Sequence, residues 1–286
     1  MYFTMASIGS ENEKKIKTIT SEPDRWKFIY EISKTYGFEG IHVGTRVGAD
    51  AYINEFNLNL NNIPDYYEDL KFTFHLGTAW EANFIDEKDC KAFDKTLENI
   101  FKIAENHNIH DISFHPPGKV NGYTSYERKK CEENLDKAIS KWIGKAIRTN
   151  ISLSLETHVT NNIFLFEGLE EFVKFSDKHP NLGILIDISH NYYDNYSEDD
   201  IINIVGNKNV KGLHISDALQ NSEIRDIPNL RKCTHLAVGD GTVDFSKLLN
   251  HFRDVPNLYG ALEINKSNGE IQESLNELKN LIIDCI

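Results

Sequence analysis

The sequence is short of positive charge. Its 286 residues include 31 lysines and arginines against 44 aspartates and glutamates, which gives a formal net charge of −13. A surface that binds nucleic acid broadly carries an excess of basic residues, so this balance argues against such a surface, although it leaves room for a local basic groove. We therefore do not expect nucleic acid as a partner.

Cysteines are few and far apart, and long apolar runs are missing. The four cysteines, Cys90, Cys131, Cys233 and Cys285, form no Cys-x-x-Cys pair, which is typical of reduced thiols in a cytosolic protein. No apolar run approaches the ~20 residues that a membrane span requires. The first residues lack a basic lead and are apolar for too short a stretch to form a signal peptide. These absences predict a cytoplasmic protein without a membrane segment.

What the chain does have is a regular alternation of strand-like and helix-like segments. Hydrophobic residues make up 40% of the sequence, enough for one large core. Predicted strands fall at 2–8, 38–44, 71–76, 111–115, 151–156, 183–190, 210–215 and 259–264. Predicted helices begin at Glu22 and at Ser197 and cover 86–108, 125–149, 168–178, 245–252 and 270–283. Two long loops remain, 45–69 with a short helix and 217–242.

This alternation predicts the fold. Strands that alternate with helices pair in parallel, and eight such units that close on themselves form a (β/α)8 TIM barrel. The sequence shows no break in composition, no linker and no low-complexity segment. We therefore expect a single TIM-barrel domain over 1–286, with the two long loops as candidates for a lid.

Metal-capable side chains stand at or near the carboxyl ends of six predicted strands. In chain order they are His75, His115, Glu156, Asp187 with His190, His214 and Glu263, and His235 lies in the loop after the seventh strand. These strand ends meet at one mouth of a (β/α)8 barrel, where the catalytic groups of such barrels lie. We expect all these side chains to face one bowl, with His42 and Trp80 as candidates for substrate contacts on its wall.

The mixture of carboxylates and imidazoles indicates a divalent metal. One aspartate and two glutamates cannot all be ionised in a confined site without a cation. Nitrogen and oxygen ligands without thiolate favour Zn²⁺ or Mn²⁺, with Co²⁺ or Fe²⁺ as alternatives. Singly, each residue also has a structural interpretation: Asp187, for example, is suited to cap the helix that starts after Ser197. The recurrence at six strand ends favours the metal centre.

Other polar residues have weaker claims. We interpret the remaining histidines as structural or solvated, because they lie on predicted helices or beyond strand ends; they are His107, His110, His158, His179 and His251. Asp217 and Asp240 are the weakest metal candidates, and an aspartate between two glycines, as at 240, is typical of a turn.

Six motifs resemble those of a known superfamily. They are 114–118 (FHPPG), 155–157 (LET), 186–190 (IDISH), 213–217 (LHISD), 235–241 (HLAVGDG) and 262–264 (LEI). As a set they resemble the xylose-isomerase-like TIM barrels, which include sugar isomerases, sugar epimerases and endonuclease IV, the AP endonuclease family 2. The motifs lie between residues 114 and 264, from the fourth to the eighth predicted strand, so the resemblance covers most of the chain.

The resemblance implies roles for particular residues. In the isomerases and epimerases one metal is held by Glu, Asp, His and Glu, which match Glu156, Asp187, His214 and Glu263 here. His190 then matches the histidine that meets substrate oxygens. Endonuclease IV adds further ligands for a three-zinc cluster, and the histidines among them match His75, His115, His190 and His235. Its added aspartate is replaced here by Cys233.

Three hypotheses follow, and the first is a divalent-metal-dependent isomerase or epimerase. Its substrate would be a small polyhydroxy carbonyl compound that reacts through an enediolate, with Glu156 and Glu263 moving the proton and His190 orienting an oxygen. The alternative is an endonuclease IV-like multi-zinc phosphodiesterase acting on abasic DNA, which the net charge and Cys233 disfavour. The third is a metal-binding barrel without catalysis. A small carbohydrate is the expected partner, and a homo-oligomer remains open.

Overall fold

The barrel predicted from the sequence is confirmed. The computed structural model describes residues 1–46, 52–53, 58–64, 69–77, 83–107, 109–119, 121–159, 163–220, 230, 232–264 and 266–283. Its strands are β1 (Tyr2–Met5), β2 (Gly40–Arg46), β3 (Tyr52–Ile53), β4 (Leu58–Asn59), β5 (Lys71–Gly77), β6 (Ile109–Phe114), β7 (Ser152–Glu156), β8 (Gly183–Asp187), β9 (Val210–Ile215) and β10 (Tyr259–Leu262). Eight of them close in parallel in the order β1, β10, β9, β8, β7, β6, β5, β2. That residues 1–286 form one domain stays a prediction.

Helices follow most of the barrel strands. They are α1 (Ser10–Ile16), α2 (Glu22–Tyr36), α3 (Glu87–Ala104), α4 (Ser125–Thr149), α5 (Leu169–Ser176), α6 (Ile188–Tyr193), α7 (Glu198–Val205), α8 (Phe245–Phe252) and α9 (Asn268–Ile283). Within the described residues, no helix is long and apolar enough to cross a bilayer.

Local sequence explains where the long helices begin and end. The side chain of Thr124 accepts the N–H of Glu127, whose carboxylate accepts the N–H of Thr124 in return, so α4 starts with a capping box. It ends at Asn150, whose φ of 55° lies in the left-handed region that asparagine tolerates. Helix α3 buries one apolar face that includes Phe93 and Leu97 against the barrel.

Two elements differ from the sequence prediction. Helix α1 was not predicted, because it is short and polar and buries only Ile16; it is joined to α9 by hydrogen bonds between Asn12 and Asn268 and between Asn268 and Glu11. In the loop expected at 45–69, the predicted short helix is a 3-10 helix at Leu60–Asn62, and the described residues also form an antiparallel pair of β3 with β4 that was not predicted. Both structures depend on contacts or turns that hydrophobic spacing does not reveal.

A buried polar cluster lies low in the barrel, near the amino ends of the strands. Asp111 on β6 is only 2% exposed, and it accepts hydrogen bonds from Ser154 Oγ at 2.6 Å and from Tyr259 Oη at 2.9 Å. The Tyr259 ring fits because position 212 on the neighbouring strand is glycine: a Cβ there would come within 2.3 Å of the ring. This cluster, formed by Asp111, Ser154 and Tyr259, is called the barrel floor below.

Candidate metal centre

The carboxyl ends of the barrel strands bring the predicted residues together. His75 lies on β5, Glu156 and Asp187 end β7 and β8, and His214 lies on β9. His115 and Glu263 directly follow β6 and β10, and His190 lies in the first turn of α6. Because parallel strands in a closed barrel end on one side, residues far apart in the sequence share one bowl.

His214 lies among three carboxylates. Its Nδ1 is 3.0 Å from Glu156 Oε1, 3.0 Å from Glu263 Oε2 and 3.7 Å from Asp187 Oδ2. Ligand atoms that surround one metal at bond lengths of about 2.0–2.2 Å are separated by roughly 3–3.5 Å, so these distances suit a shared cation. These four residues are called the carboxylate group below.

Unsatisfied polar atoms support the same interpretation. Glu156 Oε2, Asp187 Oδ2, His190 Nδ1 and His214 Nδ1 are all buried and make no hydrogen bond of suitable geometry, although each lies near groups of opposite charge. Buried polar atoms without partners carry a large desolvation cost. A divalent cation would satisfy them, and the mixed nitrogen and oxygen donors are those that Zn²⁺ and Mn²⁺ accept. The residues therefore fit a metal ion.

A second set of ligand atoms adjoins the carboxylate group. His75 Nε2 and His115 Nε2 are 3.0 Å apart, and they lie 3.3 Å and 3.0 Å from Glu156 Oε2. Glu156 thus presents one oxygen to His214 and the other to these two histidines. We call His75, His115 and Glu156 the histidine group; the two groups share the Glu156 carboxylate as a bridge.

Asp187 belongs to the site and to a helix at once. Its Oδ1 accepts the backbone N–H of His190 at 2.8 Å and the Ser189 hydroxyl at 2.9 Å, which caps α6. Its Oδ2 faces His190 Nδ1 at 3.4 Å and His214 Nδ1 at 3.7 Å. The capped helix is α6 and not the one after Ser197, so the predicted strand at 183–190 ends at Asp187.

Second contacts orient two of the imidazoles. The Ser113 hydroxyl donates to Phe74 O, so it accepts from His75 Nδ1 at 3.1 Å, and the lone pair of His75 Nε2 is left for the histidine group. His235 Nδ1 lies 3.2 Å from Glu263 O, a carbonyl that can only accept, so the proton is on Nδ1 there as well. His235 has a φ of 54°, uncommon outside glycine.

His42 belongs to a closely spaced set of possible metal ligands with His75 and His214, whereas His235 does not. His42 is 6% exposed; its Nε2 lies 3.0 Å from His214 Nε2, and its Nδ1 lies 2.7 Å from Thr73 Oγ1. It therefore contacts the side of His214 that faces away from the carboxylates. His235 stacks edge-on against His190 at 5.2 Å, but it is not among the closely spaced ligand sets found in the described residues.

The charges of the centre reinforce one another. Burial opposes the charged form of Glu156, but the imidazoles of His115, His214 and His75 outweigh it and hold the pKa of this carboxyl well below its ordinary value. Burial also opposes protonation of His214, yet Glu156 and Glu263 hold its pKa well above the ordinary value. For His75 burial prevails over the pull of Glu156 and lowers the pKa to about 3. Ionised carboxylates and the neutral imidazole of His75 are forms that bind metals, whereas His214 would release its proton when a cation binds.

Three sequence interpretations concern residues around the centre. Trp80 lies outside the described residues. Asp217 is used by its own loop, since its carboxylate accepts the N–H groups of Ala218, Gly239 and Val243. Asp240 forms an ion pair with Lys266 at 3.3 Å. The two aspartates were the weakest metal candidates, and these contacts indicate a structural role for both of them.

Sequence reasoning missed His158, which it grouped with the structural histidines. The His158 ring lies 4.9 Å from that of His115 and 4.5 Å from that of His190, at the edge of the bowl. The signal was its spacing: in an extended chain, residues two apart point to the same side, and His158 is two residues after Glu156.

Comparisons with known proteins agree with the barrel fold. A family model described as the xylose isomerase-like TIM barrel matches residues 31–281. No curated protein sequence matches the chain. Solved structures with a TM-score of 0.70 include a D-tagatose 3-epimerase-like protein (16% identity, 100% of this chain and 98% of that one), the zinc-bound IolI protein (13%, 100% and 98%) and D-psicose 3-epimerase with D-tagatose from Clostridium cellulolyticum (14%, 99% and 99%). Since the family model covers most of the sequence, the chain belongs to the xylose isomerase-like TIM barrel family.

Proposed function

We propose that this protein is a divalent-metal-dependent isomerase or epimerase of a small carbohydrate. The observation that carries the proposal is the carboxylate group, in which His214 Nδ1 lies 3.0–3.7 Å from oxygens of Glu156, Asp187 and Glu263. The names of similar structures support the same reaction class, since they include a D-psicose 3-epimerase and a 3-keto-D-glucoside 4-epimerase. We further propose a cytoplasmic location.

The carboxylate group would hold the metal, with Zn²⁺ or Mn²⁺ preferred and Co²⁺ or Fe²⁺ as alternatives. When bound, the cation supplies positive charge beside the substrate oxygens, where negative charge develops as a carbon–hydrogen bond is broken. His75 and His115 are candidates for a second cation through the histidine group, and His235 is an outlying candidate ligand whose Nε2 keeps its lone pair.

Two carboxylates are the candidates for proton transfer. One removes a proton from the carbon beside the substrate carbonyl, which leaves an enediolate, and the other returns a proton to carbon. Glu263 is 39% exposed toward the mouth, whereas Glu156 is 1% exposed and has both oxygens against imidazoles. This difference favours Glu263 as the group that meets the substrate first. His190, held by the first turn of α6, would orient a substrate oxygen, and His42 stays a predicted substrate contact.

The proton-transfer roles can be tested by isotope exchange. The metal-loaded protein is incubated in D₂O with a panel of free and phosphorylated ketoses that includes D-tagatose, and deuterium in recovered sugar is measured. Glu156→Gln and Glu263→Gln should each reduce deuterium uptake by at least 100-fold, since general acid–base groups contribute about 10²–10⁴. Glu98→Gln, on the exposed surface of α3, is the control and should exchange normally. Undiminished exchange in both site variants would refute the assignment.

One observation favours a second candidate function. The histidine group places three ligand atoms within 3.3 Å of one another beside the carboxylate group, and such an arrangement suits a multi-metal phosphodiesterase. The net charge of −13 argues against a DNA substrate. An element-resolved metal count separates the candidates: about three zinc ions per chain together with cleavage of abasic DNA would favour the endonuclease IV-like reaction. Failure to bind any divalent metal would leave only a non-catalytic barrel.

A further inference from the structure

His158 occupies a defined place at the edge of the bowl. Its ring is half-buried and lies between those of His115 at 4.9 Å, His190 at 4.5 Å and Phe164 at 3.8 Å. Phe164 is itself 2% exposed and pairs with Gly118 through an isolated β-bridge. A buried aromatic ring and two histidines of the site therefore pack around the imidazole and restrict its orientation.

The hydrogen bond of His158 determines which of its nitrogens carries the proton. The backbone N–H of Val159 donates to His158 Nδ1 at 2.9 Å. A nitrogen that accepts a hydrogen bond provides a lone pair, so the proton of the neutral ring is on Nε2. In His75 and His235 the assignment is reversed, because there Nδ1 donates and Nε2 keeps the lone pair.

This reversal separates His158 from the metal candidates. An imidazole binds a metal through a lone pair, and in His75 and His235 that lone pair is on Nε2, opposite the Nδ1 contacts with the Ser113 hydroxyl and the Glu263 carbonyl. His158 instead carries its N–H on Nε2, the nitrogen opposite its contact with the backbone, and it is not part of any closely spaced ligand set among the described residues. An N–H at the rim of a bowl of carboxylates and lone pairs is a group that can donate to an oxygen.

We infer that His158 is a substrate-binding residue, which donates a hydrogen bond from Nε2 to an oxygen of a carbohydrate held beside His115 and His190. The inference rests on the proposed function and extends it to a residue outside the metal ligands. The ring's position next to His190 implies that both histidines contact neighbouring oxygens of one substrate. His158 thereby selects substrates that carry a hydroxyl or carbonyl oxygen at this position.

Two variants distinguish the effect of the His158 N–H from the effect of the shape of its ring. His158→Phe keeps a flat ring against Phe164 but removes the N–H, whereas His158→Gln provides an amide N–H at a similar distance from the backbone. We expect His158→Phe to lower kcat/KM for the epimerised sugar by about 10- to 100-fold, the value of a hydrogen bond that strengthens as charge develops on the oxygen. His158→Gln should recover most of this loss.

Metal content distinguishes a substrate contact from a metal ligand. Both His158 variants should keep the wild-type number of bound Zn²⁺ or Mn²⁺ ions, whereas His115→Phe should lose the ion of the histidine group if that group is filled. His251→Gln, on α8 and away from the bowl, is the control for a histidine substitution as such. Wild-type kcat/KM in His158→Phe, equal losses in the Phe and Gln variants, or a parallel loss of metal would each overturn the inference.

A spectroscopic test does not depend on turnover. In protein labelled with ¹⁵N-histidine, the His158 ring should show a protonated Nε2 and an unprotonated Nδ1, and D-tagatose should shift the Nε2 resonance. A proton on Nδ1, or no response to the sugar, would overturn the inference. If the sugar shifts this resonance but no sugar of the panel exchanges deuterium, then the proposed isomerase function fails while the binding role of His158 stands.

Discussion

The barrel floor allows a quantitative prediction about stability and pH. Burial raises the pKa of Asp111 from an ordinary value of 3.8 to about 6, although the Ser154 and Tyr259 hydroxyls favour the charged form. The folded state therefore holds this proton more tightly than the unfolded state, so its contribution to stability is lost as pH rises through this interval. At about 1.4 kcal/mol per pKa unit, the full loss is about 3 kcal/mol.

The substitution Asp111→Asn removes this titration and keeps nearly the same shape. Well below pH 3.8 position 111 is neutral in the folded and unfolded states of both proteins, which then differ only in their hydrogen bonds to Ser154 and Tyr259. As pH rises from 4.5 to 7.5 the wild type should lose about 2 kcal/mol relative to the variant, because roughly a third of the effect has already developed at pH 4.5. Groups common to both proteins cancel in the difference.

The measurement is urea unfolding of both proteins at several pH values, followed by tryptophan fluorescence and carried out in chelator so that metal binding does not contribute. Asp254→Asn removes the same charge from a side chain that is 91% exposed and serves as the control. The reasoning fails if the difference in the free energy of unfolding between Asp111→Asn and wild type is constant over this pH range. It also fails if the variant becomes less stable relative to wild type as pH rises.

Two further predictions concern the metal centre. His42→Leu should weaken divalent-metal affinity by about 10- to 100-fold in a chelator competition, because His214 loses the imidazole next to its Nε2. His42→Gln should retain most of the affinity. Equal affinities in wild type and His42→Leu would contradict this prediction. Zn²⁺ or Mn²⁺ at 100 times its Kd should raise Tm by about 5–10 °C over that of the protein in chelator, because binding at this concentration stabilises the folded state by about 2.7 kcal/mol. An unchanged Tm would show that neither the carboxylate group nor the histidine group holds a cation.

The barrel strands, and the meeting of their carboxyl ends at one mouth, could be predicted from the sequence. Buried parallel strands are nearly continuous apolar runs, as at Ile184, Leu185 and Ile186, and such runs are recognised without any tertiary information. Closure of the barrel then places the residue after each run at one mouth. The positions of Glu156 and His214, 58 residues apart in the sequence, follow from this topology alone.

What the sequence concealed depends on contacts between distant segments. Helix α1 is held by Asn268 near the other end of the chain, and its polar composition gives no helical stripe. The position of His158 at the edge of the bowl was not predicted, because its neighbours His115 and His190 come from other parts of the chain. A helix cap and a metal ligand were treated as alternative roles for Asp187, whereas its Oδ1 caps α6 and its Oδ2 faces His214, which leaves the proposed metal role open to the same side chain.

The two oxygens of the Asp187 carboxylate have different partners, and this fixes the position of helix α6 relative to the carboxylate group. Because the helix begins at the residue that faces His214, the reach from the carboxylate group to His190 is set by the first turn of an α-helix and not by the course of a loop. A loop in place of this helix would not fix the distance between the carboxylate group and His190. Here the cap fixes the spacing between the carboxylate group and His190.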